Sequence, residues 1–256
     1  GDTGFKGSWL VIWLRELGAN VIGYALEPKT EKDNYVVCDL ENKIIHVDGD
    51  IRDYKHLKSV FDRHKPEIVF HLAAQALVLE GYRDPLETYS TNIMGTINVL
   101  EAIRHTESVT DSVIITTDKC YENKEWIYGY RENDRLGGKD PYSFSKAACE
   151  IVIKSYLESF FNKGGSANIA SARAGNVFGG GDWAENRIVP DCIRWLMQKR
   201  PIVVRSPLAV RPWQHVLEPL SGYLKLGSLL HVKGKDFSGP WNFGPFTKSL
   251  VTVKQL

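Results

Sequence analysis

Gly1-Asp-Thr-Gly4-Phe-Lys-Gly7 runs straight into Ser8-Trp-Leu-Val-Ile-Trp-Leu-Arg-Glu-Leu17, and Gly18 closes the stretch. Trp9, Trp13 and Leu17 stand at i, i+4 and i+8, so residues 8–17 are expected to form a helix that begins at the glycines. In such a loop the first glycine permits a tight turn, the second lets the backbone approach a pyrophosphate, and the third lets helix and strand pack closely. The helix N-terminus adds its dipole and free N–H groups. A glycine turn before a helix is also an ordinary feature, so the motif alone leaves a plain turn open. The motif calls for a strand before Gly1, and the 256 residues are therefore expected to be a portion of a longer chain.

Outward from this stretch, strands alternate with helices. Apolar, β-branched runs at 19–26, 43–51, 68–73, 112–118 and 167–174 read as strands, and 54–64, 85–104 and 142–161 read as helices. Alternation of this kind predicts an α/β fold, a doubly wound parallel sheet covered on both faces. After about residue 176 the pattern loosens into Gly179-Gly-Gly-Asp-Trp183, a helix at 188–199 and short strands. The expected organisation is a dinucleotide-binding domain at 1–175 and a smaller α/β substrate-binding lobe at 176–256. A surface turn is expected at 163–166.

Composition bounds the function classes. The chain has 32 Lys+Arg against 31 Asp+Glu, a net charge of +1, which gives no electrostatic reason to expect nucleic acid or an anionic membrane as partner. No apolar run approaches the ~20 residues that span a bilayer, and the opening residues lack the basic-then-apolar pattern of a signal peptide, so neither is expected. Cys38, Cys120, Cys149 and Cys192 form no C-x-x-C pair, so neither a metal site nor a disulfide framework is expected, and a reducing cytoplasm is. The acidic residue that would hold the adenosine ribose, Glu27, comes a place or two late. Lys29 is nearby, but no arginine pair suits a 2′-phosphate, so NAD is favoured over NADP.

Tyr142 and Lys146 stand four apart at the start of a helix, on one face. A lysine ammonium there can stabilise tyrosinate and make the tyrosine a base for a sugar hydroxyl. Tyr-x-x-x-Lys alone is usually a solvated pair. Thr116-Thr117-Asp118-Lys119 changes that weighting, because it ends an apolar strand, where open α/β sheets place their ligands. His71 opens Leu-Ala-Ala on a buried strand and reads as a core histidine. Trp183 and Trp213 are candidates for stacking on a base.

Gly1–Gly7, His71-Leu-Ala-Ala-Gln75, Thr91-Asn92, Thr117-Asp118, Tyr142-x-x-x-Lys146 and Asn176 resemble the extended short-chain dehydrogenase/reductases that act on sugar nucleotides. Gly4-Phe-Lys-Gly-Ser-Trp9, Asp118-Lys-Cys-Tyr-Glu-Asn123, Gly179–Trp183 and Arg211-Pro-Trp-Gln-His-Val-Leu-Glu-Pro219 are similar, within that group, to the family of CDP-glucose 4,6-dehydratases. The resemblance implies a Rossmann-type fold and an NAD-dependent dehydration of CDP-glucose. It implies Thr117, Asp118, Lys119, Tyr142 and Lys146 as catalytic residues, with Lys119 as the C5 base or a stabiliser of the enolate. Gly1, Thr3, Gly4, Phe5, Lys6, Gly7, Asp50, Ile51, Leu72, Ala73, Ala74, Gln75 and Thr91 would join Tyr142 and Lys146 at the cofactor, with Asp50 and Ile51 at the adenine. Asn176 would contact the substrate phosphate or sugar, and Arg187, Arg211 and Asn242 the nucleotide diphosphate. The family also implies a homodimer or higher homo-oligomer built from the 85–104 and 142–161 helices. A sugar-nucleotide 4-epimerase is the alternative, and Asp118-Lys119 argues against it.

Overall fold

The computed structural model describes residues 1–164, 167–246 and 250–256; Gly165 and Ser166, in the turn expected at 163–166, lie outside the described residues. In chain order the elements are α1 (Phe5–Glu16), β1 (Ile22–Ala25), α2 (Asn34–Val37), β2 (Ile45–Asp48), α3 (Tyr54–His64), β3 (Ile68–His71) and α4 (Val78–Arg83). The next helix is α5 (Pro85–Tyr89) continuing through a π turn at Ser90–Met94 into α6 (Gly95–Arg104). Then come β4 (Asp111–Ile115), α7 (Pro141–Ser159), β5 (Asn168–Ala174), β6 (Val177–Phe178) and α8 (Ile188–Met197). The chain ends with β7 (Val210–Arg211), β8 (Gln214–His215), α9 (Leu217–Lys233), β9 (Gly239–Phe243) and β10 (Val251–Thr252).

β3-β4-β5-β9 form a four-stranded, wholly parallel sheet, and β1 and β2 a parallel pair. β4 is buried along its whole length, and the side-chain alternation of a strand divides it between two cores. Ile114, with Ile169 of β5, meets Leu57, Leu100, Ile103, Ile153 and Leu157 from α3, α6 and α7. Val113 and Ile115 face the other way, with the alanines of β5, onto Leu10 of α1 and Leu220, Tyr223 and Leu226 of α9. Helices thus cover both faces, the doubly wound Rossmann-type arrangement. Among the described residues β1 and β3 are not paired, and Gly1 lies between their ends. Its ammonium donates to Tyr24 O at 2.5 Å, and a Cβ on it would stand 2.6 Å from Ala73 N.

α1 starts at Phe5, earlier than the expected residue 8, because Gly4 is already its extended N-cap. Its buried face is Leu10 and Val11, while Leu17 is exposed. The chain beyond residue 176 does not stay apart from the sheet. α9 covers β4 and β5, β9 pairs with β5, and residues 188–211 lie outside the four-stranded sheet. No helix among the described residues is long and apolar enough to cross a membrane.

Candidate active site

The carboxyl end of β4 and the first turns of α7 build the site. Beyond Ile115 the chain enters a 3-10 turn at Asp118–Cys120, capped by Thr117, whose Oγ1 accepts from Lys119 N at 3.4 Å and donates to Asp118 Oδ1 at 3.1 Å. α7 starts sharply because Pro141 occupies its first position and Asp140 caps it, accepting from Ser143 N at 3.0 Å and Ser143 Oγ at 2.6 Å. That start places Tyr142 in the first turn and Lys146 one turn on, where Lys146 Nζ donates to Ile115 O at 3.3 Å. The Tyr142 phenol hydrogen-bonds Thr117, and Lys119 Nζ stands 5.8 Å from the Tyr142 ring centre. All five expected catalytic residues therefore meet at one strand end.

Burial dominates the electrostatics. It pushes the Tyr142 phenol up to about 12; the Thr117 hydrogen bond and the charge of Arg187 oppose the rise, and Asp118 adds to it. Burial also pulls the Lys146 pKa down, and its ammonium donates to the Ile115 carbonyl. Burial raises Asp118, against the pull of Lys119, Thr117, Lys6 and Arg211. Lys6 is lowered to about 8 by burial, then by Arg187 and Lys146, with Asp118 opposing. Lys119 itself is exposed.

The glycine loop has the shape its spacing requires. A Cβ on Gly7 would lie 1.9 Å from Gly1 O, so only a glycine lets the loop fold back on the helix. No side chain caps α1, which leaves its first N–H groups facing the loop, as an anion site needs. Lys6, Lys146 and Arg187 bring three cations to the same place, answered there by Asp118 and by Asp182, 3.0 Å from Arg187 Nη1. The tight glycine turn and the uncapped start of α1 fit the diphosphate of a dinucleotide. Thr3 Oγ1 donates to Leu26 O at 2.8 Å, which ties the loop to the end of β1, and Phe5 packs with the α1/α9 core.

The other expected residues divide. Leu72 and Ala73 pack at the end of β3 beside Gly1, and Ala74 and Gln75 follow them. Gln75 is held from both sides: its N–H donates to Asn92 Oδ1 at 2.8 Å, and its Nε2 to Thr88 Oγ1 at 2.8 Å. Thr91 Oγ1 donates to Glu87 Oε1 at 3.3 Å. The Asp50 carboxylate is taken up by Arg52, and Ile51 is buried in the α3/α6 core, where Asn98 donates to its carbonyl at 2.8 Å. Asn176 follows Gly175, whose Cβ would lie 3.0 Å from Asp118 Oδ2, so it borders the site. Arg187 and Arg211 act electrostatically on Tyr142 and Asp118 respectively.

The Asn242 amide meets the 121–130 segment: its Oδ1 accepts from Tyr121 OH at 2.7 Å and its Nδ2 donates to Tyr130 O at 3.0 Å. His71 is a core residue as read, bonded to Thr96 Oγ1 at 3.2 Å and lowered to about 3 by burial. Sequence reasoning missed the buried Glu150 and Arg173. Glu150 carried a signal, standing at i+8 from Tyr142 on the same face. Arg173 carried another, as a charge inside an apolar strand. Asn92, part of the Thr91-Asn92 motif, joins Gln75 O to Ser145 Oγ from the π turn. A cleft of about 440 Å³ opens beside Arg187, lined by Glu185, Asn186, Asp191, Arg194, Trp195 and Arg205.

With this geometry in hand, comparison places the chain among known proteins. It is 48% identical to the CDP-glucose 4,6-dehydratase of Salmonella typhimurium over 99% of its own length and 72% of that protein's. The UDP-glucose 4-epimerase of Thermotoga maritima, solved with UDP-glucose, superposes with a TM-score of 0.83 at 25% identity, covering 100% of this chain and 78% of that one. That of Thermus thermophilus, solved with NAD, gives 0.81 at 25% identity with the same coverage. Residues 1–226 match the GDP-mannose 4,6 dehydratase family, and the chain belongs to that family.

Proposed function

We propose that the protein converts CDP-glucose to CDP-4-keto-6-deoxyglucose and water with NAD held at the Gly1–Gly7 loop. The observation that carries this reading is the half-buried Asp118 standing one hydrogen bond from Thr117, beside the Tyr142 phenol: a proton donor beside a proton acceptor. The 48% identity to a CDP-glucose 4,6-dehydratase supports the substrate.

Bound NAD would accept the C4 hydrogen and return it at C6. The ionised form of Tyr142, which Thr117 and the charge of Arg187 favour against burial, takes the C4 hydroxyl proton. The ketone so formed acidifies the C5 proton, which Lys119 removes. Asp118, which burial holds toward its protonated form, delivers its proton to the C6 hydroxyl, and that group leaves as water. A proton then returns to C5 as hydrogen arrives at C6, so the cofactor is unchanged overall. Lys6 and Arg187 face the diphosphates. A 4-epimerase needs Tyr142 and Lys146 but no acid; the half-buried Asp118 at the strand end favours dehydration.

The decisive assay mixes protein, NAD and CDP-glucose and looks for the alkali-induced absorbance of a 4-keto sugar. Absence of product from CDP-, dTDP- and GDP-sugars would sink the reading. In Lys119→Met, solvent-deuterium exchange at C5 is expected to fall about 10²-fold or more while C4 oxidation persists. Undiminished exchange would remove Lys119 from the role of base.

A homodimer belongs to the same proposal. Leu86, Met94, Phe144 and Ile151, on the 85–104 helix and α7, are 81, 51, 50 and 59% exposed, and Phe144 packs edge-on against Tyr89 at 6.0 Å. Such a strip suits the same strip of a second copy, as a four-helix bundle. Light scattering should read twice the chain mass, and Ile151→Glu should halve it; a variant mass equal to wild type counts against this face. The four free cysteines support a reducing cytoplasm.

A further inference from the structure

Glu150 and Arg173 take no direct part in the proposed reaction, yet they form an ion pair at 2.7 Å with side chains only 2% and 3% exposed. An interior pair of this kind returns little stability for its desolvation, so what it holds is informative. Glu150 stands at i+4 from Lys146 and i+8 from Tyr142, on the buried stripe of α7. Its Oε1 accepts from Thr116 Oγ1, beside Thr117, and its Oε2 from Ser171 Oγ at 2.8 Å as well as from Arg173. Arg173 turns its other nitrogen outward along the sheet: Nη1 donates to Tyr121 OH at 2.7 Å and to Glu132 O at 2.9 Å. Tyr121 closes the turn that carries Asp118 and Lys119, and its hydroxyl passes the chain on to Asn242. Tyr130 stacks on Tyr121 with ring centres 5.0 Å apart.

One carboxylate therefore joins the helix of Tyr142 and Lys146 to the strand end of Thr117, and one guanidinium joins that carboxylate to the turn of Asp118 and Lys119. We propose that Glu150, Arg173 and Tyr121 are positioning residues that set the Asp118–Lys119 turn at a fixed separation from the Tyr142–Lys146 pair, so that elimination can follow oxidation on the same bound sugar. The proposal rests on the dehydratase reading. The physical ground is that two sets of groups acting in succession on neighbouring carbons must be held to within an ångström, and a charged hydrogen-bond chain fixes distance and direction where apolar packing fixes only volume.

Tyr121→Phe tests it, because it removes only the two hydrogen bonds of the hydroxyl, from Arg173 and to Asn242, keeping the ring, its stack on Tyr130 and the Glu150–Arg173 pair. Amide hydrogen exchange in 118–136 is expected to quicken about 10-fold while that of 141–159 stays unchanged. With CDP-glucose and NAD, the 340 nm phase of C4 oxidation should persist, while 4-keto sugar formation falls about 10–100-fold with KM nearly constant. The proposal is overturned if exchange in 118–136 does not change, if product forms at the wild-type rate, or if oxidation and product formation fall by one common factor, as a general loss of folded protein would give. Should the wild-type protein make no 4-keto sugar, the dehydratase reading fails, and the exchange measurement alone decides whether Tyr121 holds the turn.

Discussion

Tyr142→Phe is expected to lower kcat by about 10³-fold, the usual worth of a positioned acid–base group, with no loss of fold. The phenol is the one titratable group that the structure places against Thr117 in the first turn of α7, and Phe keeps the ring while removing the proton acceptor. The substitution also has a signature without substrate. The folded protein holds the Tyr142 proton up to about 12, whereas an unfolded chain releases it near pH ~10. The folded state therefore binds the extra proton between those values, and its stability, full below the lower one, falls as pH rises through that window. Denaturation midpoints measured at pH 8 and pH 11 should fall less steeply in Tyr142→Phe than in wild type. Equal slopes would show that this phenol is not held neutral by burial.

Arg173→Met should destabilise the fold by about 3–5 kcal/mol, the cost of leaving one member of a buried pair without its partner. Glu150 would keep Thr116 and Ser171 as donors, but a carboxylate 2% exposed cannot recruit water in place of the guanidinium. Arg173 Nε has no hydrogen-bond partner among the described residues, so its anchoring rests on the two Nη groups. Removing the charge at both ends, in Glu150→Gln with Arg173→Met, should recover about half of the loss. Chemical denaturation of the two single variants and the double variant checks this, and strict additivity of the two single effects would count against direct coupling.

What could be read in advance follows the range of the interactions concerned. The Gly1–Gly7 loop, the Tyr142/Lys146 pair and the Thr117–Lys119 strand end depend on spacings of a few residues. For these, helix periodicity, N-capping and the position of ligands at parallel strand ends are sufficient rules. The same rules foresaw most element positions, α3 at Tyr54–His64 among them, because the burial of both sheet faces writes itself into apolar periodicity. The Asp50 and Asn242 assignments depended on residues far along the chain. Asp50 meets Arg52 and, through it, Glu87; Asn242 meets Tyr121 and Tyr130, more than a hundred positions away. An asparagine at a strand end can serve a ligand or a loop equally well, and no local pattern distinguishes them.

The amino-acid sequence by itself determined the class of fold and the family, because these rest on patterns short enough to be legible along the chain, and it named the groups proposed to react. Only the tertiary structure decided how those groups are tuned. Burial raises the Tyr142 phenol; burial brings Lys6 down to about 8; and a carboxylate on α7 meets a guanidinium on β5. The reason is that desolvation and charge pairing depend on which surfaces close over a group. Those surfaces come from α1, α9 and β9, elements whose nearness to the site exists only once the chain is folded.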